Sequence, residues 1–191
     1  MKSNLDGFIN FITEVDKLKN IERKTLTYDG KRHENSAEHS WHLALAVLVF
    51  AENANEKIDV LKCLKMSLLH DLVEIYAGDQ IIYAEDKNKF TRELSAAKKI
   101  FSLLPKHLEE EFLELWVEFE KKETPESKFV GSLDRFLPLR SNILNKGYTW
   151  EKHKITVDQV YKLNQSAIKD GCDNLWEKTD EFLKDSIAKV T

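Results

Sequence analysis

The chain has 191 residues, 42% apolar and 32% charged, with six Gly and three Pro; this is enough for one domain with a real core and too few turn residues for a β-rich architecture. Acidic residues outnumber basic ones 33 to 29, for a net charge of -4, and no basic block stands out, which argues against a nucleic-acid polymer as the main ligand and leaves room for a small phosphorylated one. Cys63 and Cys172 make no disulfide framework, no apolar signal core follows Met1, and the longest apolar run, 43–51, falls short of the ~20 residues that span a bilayer; a cytoplasmic protein with no membrane partner is expected.

Apolar residues at Leu5, Phe8, Ile9, Ile12, Val15 and Leu18 recur with helical spacing and predict a helix over 4–19. Residues 20–35 are charged, carry the turn signal Asp29-Gly30, and read as a long loop containing Arg23, Lys24, Arg32 and His33. Asn35 and Glu38 form a capping pair that opens a second helix, running through His39, Trp41 and His42 to about Ala54. A third helix spans about Asp59 to Tyr76 and stops at Gly78. It contains His70 and Asp71, with Glu74 one turn on and on much the same face. After a loop over 80–88, helical patterns cover about 89–104 and 107–121, the latter with Leu108, Phe112, Leu115, Trp116 and Phe119 on one stripe. Thr124 caps the next helix and Pro125 takes its first position. That helix contains Asp134, whose carbonyl can receive no bond from Pro138, so a kink is predicted there. A loop over 145–155 precedes helices from about Thr156 and over 173–188. No strand and no repeat is evident, and the fold class is all-α.

His70 and Asp71 stand side by side in the apolar run Leu68-Leu69-His70-Asp71-Leu72-Val73. A buried carboxylate is costly unless something compensates it, and a metal ion is one compensator. His39 and Asp134, on two other predicted helices, extend the set to two imidazoles and two carboxylates, donors that suit a divalent first-row ion. From the residues alone the blander readings stay open: a histidine on an apolar face is most often a satisfied core residue, and His-Asp pairs often serve as caps or ion pairs. His42 reads as a packing residue, and His33, His107 and His153 as solvent-facing. Trp41, Trp116, Trp150 and Trp176 read as core or interface anchors. Lys87 to Lys89 and Lys98-Lys99 read as solvated faces, with a lysine near 89 within reach of a phosphate.

The stretches Glu34-Asn35-Ser36-Ala37-Glu38-His39-Ser40-Trp41, Ser67-Leu68-Leu69-His70-Asp71-Leu72-Val73-Glu74, Ala77-Gly78-Asp79, Thr124-Pro125-Glu126 and Leu133-Asp134-Arg135 carry more. Together they resemble the HD-domain phosphohydrolase superfamily, named for its adjacent His-Asp ligands, and within it the small single-domain 5'-deoxynucleotidase-like proteins. The resemblance spans roughly residues 5–150. It implies a helical bundle of about seven to nine helices in a single HD domain over 1–191, with the metal-site core at about 36–140 and the helices over 156–188 packed on it. The implied ligands are His39, His70, Asp71 and Asp134. They would hold one divalent transition metal ion, drawn from Co²⁺, Mn²⁺, Fe²⁺, Ni²⁺ and Zn²⁺, with Mg²⁺ also open. Glu74 falls on the glutamate assigned to water activation, Asp79 on an aspartate linked to catalysis or sugar contact, and Arg23 on an arginine that helps bind the nucleotide. Lys24 is a candidate phosphate contact.

The implied reaction is removal of the 5'-phosphate of a nucleoside monophosphate, with 2'-deoxyribonucleotides foremost. One departure bears on the sugar: the best-known bacterial relatives follow the arginine with Trp, associated with deoxyribose preference, and here Lys24-Thr25 follows Arg23. Phosphomonoester hydrolysis therefore carries over better than sugar selection. The alternatives are another HD reaction, on a nucleoside triphosphate, a cyclic nucleotide or a guanosine alarmone, and a non-catalytic metal- or nucleotide-binding regulator. The family often forms homodimers, for which the Trp-bearing helix over 107–121 is the candidate surface.

Overall fold

The apolar spacing of 4–19 becomes α1 (Leu5–Val15) and a 3₁₀ turn (Asp16–Asn20) in the computed structural model, which describes residues 5–79 and 88–188. Further helices are α2 (Ser36–Phe50), α3 (Val60–Leu69), α4 (Glu74–Ala77), α5 (Lys89–Phe101), α6 (Lys106–Lys121), α7 (Pro125–Leu144), α8 (Tyr148–Lys152), α9 (Val157–Lys169) and α10 (Asp173–Ala188). Caps set several starts. Asn35 accepts from the Glu38 N–H while Glu38 accepts from the Asn35 N–H, and Thr124 with Ser127 closes the same reciprocal pair at α7. The bundle centres on α2, α3 and α7. α2 packs on α3 and α7, α3 also meets α6, and α9 and α10 lie on α7. Leu43, Val47, Met66, Phe129 and Leu133 fill the space between them, each 0 or 1% exposed, a burial that contributes roughly 1.5–3 kcal/mol per side chain.

Three stretches depart from the sequence expectations. Residues 20–35 contain a hairpin, β1 (Glu22–Leu26) paired antiparallel with β2 (His33–Asn35). Asp29-Gly30 lies in its turn, with Gly30 at φ +70°. Its strands are charged and bury little beyond Thr25, so the alternation that betrays a half-buried strand is missing. The long third helix is in fact α3, a 3₁₀ turn over His70–Val73, and α4. Gly78 ends it as expected, at φ +75°. The loop over 145–155 contains α8, which follows Gly147 in the left-handed region. α7 runs on past Pro138 to Leu144. The loop expected over 80–88, and Lys87, lie outside the described residues apart from Asn88. Trp116 on α6 is 1% exposed and belongs to the core, so it offers nothing to a dimer surface. No helix among the described residues is long and apolar enough to cross a membrane.

Candidate metal centre

The α2 cap fixes the first turn of that helix and with it His39, which is fully buried. At the other side, α3 tightens to 3₁₀ geometry and delivers His70 and Asp71 together. Two bonds hold His70 in place. Its Nδ1 donates to the Ser67 carbonyl at 2.9 Å, and its own carbonyl accepts from Trp116 Nε1 at 3.2 Å. With Nδ1 committed to that carbonyl, Nε2 is left facing the cluster as a lone-pair donor, the usual way an outer hydrogen bond orients a metal-binding imidazole. Phe119 packs its ring edge against His70, centroids 5.1 Å apart. α7 brings Asp134.

One donor atom from each of His39, His70 and Asp71 lies within 4.8 Å of the others. Asp134 Oδ1 stands 2.9 Å from His39 Nε2 and 3.7 Å from His70 Nε2, and Asp71 Oδ1 is 3.1 Å from His70 Nε2. Despite these short distances, His70 Nε2 is buried without a hydrogen-bond partner. Two imidazoles, two carboxylates and an orphaned buried nitrogen fit a divalent ion. The electrostatics agree. Burial pushes His70 down, yet Asp71 and Asp134 outweigh it and raise the imidazole to about 10. Asp71 is held well below the usual carboxylate range by His70 and Arg23 in spite of its burial. Asp134 is held low by its contacts with His39 and His70, again against burial. The cluster thus demands positive charge.

A cavity of about 300 Å³ opens beside it, lined by His70, Asp71 and Asp134 and also by Arg23, Glu74 and Asp79. Arg23 Nη1 donates to Asp71 Oδ2 at 2.8 Å, so the hairpin serves to carry this guanidinium to a ligand residue. Glu74 accepts from Ser36 Oγ at 2.5 Å, and burial with the Asp71 charge pushes it up to about 8. Asp79 is also raised by burial, and its Oδ2 has no hydrogen-bond partner. Lys24 is exposed on the cavity wall, and its carbonyl accepts from Thr149 Oγ1. Lys89 lines the same cavity.

Other expectations sort differently. His42 is exposed and stacks on Trp41, away from the cluster; Trp41 is itself 65% exposed and anchors no core. Trp176 is buried as expected. His107 and His153 are exposed, but His33 sits in β2 half-buried with Nδ1 unpartnered. Glu34 escaped the sequence reading. Its Oε2 lies 3.5 Å from Arg23 Nε and 3.8 Å from His39 Nδ1, and burial pushes it to about 7. Its signal was its place five residues before His39, lost in a stretch that looked like a charged loop.

A family model described as HD domain matches residues 15–176. The 5'-deoxynucleotidase HDDC2 of Mus musculus is 32% identical over 133 residues, covering 68% of this chain and 65% of that protein. Its Homo sapiens counterpart is also 32% identical, over 68% of this chain and 63% of its own length. The chain thus spans a little under two thirds of the length of these curated relatives. A solved structure from Magnetospirillum magnetotacticum MS-1, described as a predicted metal-dependent phosphohydrolase, superposes with a TM-score of 0.93 at 39% identity, covering 98% of this chain and 94% of that one. A conserved hypothetical protein from Pyrococcus furiosus superposes with a TM-score of 0.63 at 27% identity, covering 91% and 99%.

Proposed function

The chain belongs to the HD-domain family, and from that premise we propose that it is a metal-dependent phosphomonoesterase removing the 5'-phosphate of nucleoside monophosphates, with 2'-deoxyribonucleotides foremost. The observation that carries this reading is the convergence of His39, His70 and Asp71 within 4.8 Å, beside a cavity that Arg23, Glu74 and Asp79 also line. His39, His70, Asp71 and Asp134 would hold one divalent ion, which supplies Lewis-acid activation of the phosphate and lowers the pKa of water towards ~7. We read 1–191 as one domain, and the two unbridged cysteines fit a cytoplasmic protein.

Glu74 takes the proton from the attacking water as the water oxygen bonds to phosphorus. Its raised pKa makes its carboxylate a stronger base than an ordinary glutamate, and Ser36 fixes its Oε2. The bond from phosphorus to the 5'-oxygen then breaks. Asp79, raised by burial, supplies the proton that the departing sugar oxygen needs. Arg23 is fixed by Asp71 through Nη1 and by Glu34 at Nε, and its guanidinium on the cavity wall supplies charge and N–H donors to the phosphate oxygens. Lys24 contributes charge from the cavity wall.

A panel of deoxy- and ribonucleoside monophosphates, triphosphates and cyclic nucleotides, each with Mn²⁺, Co²⁺ or EDTA, tests the reading. Metal-dependent release of inorganic phosphate from 5'-monophosphates is expected. Release of triphosphate, opening of a cyclic nucleotide, or binding without turnover across the panel would replace it with one of the alternatives.

A further inference from the structure

Lys122 is a cation in the cavity that the proposed reaction leaves unused. It caps the C-terminus of α6 with φ +54° and ψ +37°, a left-handed conformation that ordinarily falls to glycine because a Cβ is strained there. Its stem then crosses α7 where that helix carries Gly131. A Cβ on Gly131 would lie 2.9 Å from Lys122 Cε and 3.5 Å from Nζ. The ammonium ends 2.7 Å from the centroid of the Phe119 ring, the ring that packs on His70. Lys122, Phe119 and Asp134 all line the cavity.

Among the described residues no carboxylate comes within ion-pair distance of Lys122 Nζ, which lies over the Phe119 ring face instead. Burial pushes its ammonium down to about 7 against the opposing pull of Asp134 and Glu120. A strained backbone and a desolvated, unpaired ammonium are both unfavourable in the folded chain. An anion in the cavity would offset the second. On the phosphomonoesterase reading, we propose that Lys122 is a receptor for the substrate's phosphate group, reaching it from the α6–α7 side while Arg23 reaches it from β1.

The test titrates inorganic phosphate into the full-length, Mn²⁺-loaded protein by calorimetry at constant ionic strength, with melting temperature followed in parallel. Lys122→Gly and Lys122→Met should each weaken phosphate binding about tenfold or more, the effect of losing a charged hydrogen bond. Both should raise KM more than they lower kcat. Lys122→Gly should hold or raise the melting temperature, because glycine suits φ +54°. Gly131→Ala should weaken phosphate binding by displacing the stem, and should add nothing in a Lys122→Gly background. Phosphate affinity equal to wild type in both Lys122 variants, with only stability altered, would overturn the proposal and leave the lysine a packing residue. So would a wild type that binds no phosphate. A wild type that binds phosphate through Lys122 yet hydrolyses no monophosphate would sink the reaction and leave the anion site standing.

Discussion

Burial alone would strip the proton from His70, yet Asp71 and Asp134 hold it to about pH 10. A folded pKa above the unfolded ~6.5 contributes stability that is full below 6.5 and lost as pH rises through about 10. Glu34 and Glu74, raised by burial to about 7 and about 8, act in the same direction from ~4.3 upward. The depressed Asp71 and Asp134 act elsewhere: their contribution is present above ~3.9 and is lost only in acid. Lys122, pushed down to about 7 by burial, opposes the fall, because its cost in the folded chain shrinks as pH rises towards the unfolded ~10.4, but it is one group against three. In EDTA, the urea midpoint should therefore be lower at pH 9.5 than at pH 6.5 by roughly 1 M, the shift that ~2 kcal/mol gives at an m-value of ~2 kcal/mol/M. Mn²⁺ should remove most of that fall by taking the place of the His70 proton. A midpoint flat with pH in EDTA would contradict the assignment. At this scale His70 and Asp71 are legible because they interrupt an apolar run, while His39 and Asp134 follow from the family resemblance. Glu34 and Lys122 stayed hidden. Each sits in a charged stretch, and only the tertiary fold shows that Glu34 meets Arg23 and His39 and that Lys122 lies against α7.

The elements differ in how clearly the chain announces them. α2 and α7 carry reciprocal caps, and their starts are readable to the residue. The hairpin is not readable, since its stability comes from its contacts with α7 and α8 rather than from alternation along β1 and β2. Nor is the change from α3 to 3₁₀ geometry at His70, where His70 is held by tertiary as well as local bonds, to Trp116 and Ser67. The α2 cap does more than start a helix, because the adjacent Ser36 holds Glu74 and the first turn holds His39. Asn35→Ala should destabilise the protein by about 1 kcal/mol, measured by denaturant melts, and should also lower kcat by loosening Glu74. Lost stability with an unchanged kcat would confine Asn35 to a structural role.

For the molecule as a whole, three helices and one hairpin converge on a single cluster. α2 supplies His39, the 3₁₀ turn after α3 supplies His70 and Asp71, α7 supplies Asp134, and β1 brings Arg23. On the proposed reading this cluster binds one divalent ion, and phosphate release depends on it. Elemental analysis of protein dialysed after Mn²⁺ loading, with phosphate release from a deoxynucleoside 5'-monophosphate measured on the same sample, tests it directly. One ion per chain is expected for the wild type, and Asp71→Ala should lose both the ion and the turnover while remaining folded by circular dichroism. Full turnover in EDTA, or an Asp71→Ala protein that keeps both ion and turnover, would contradict it.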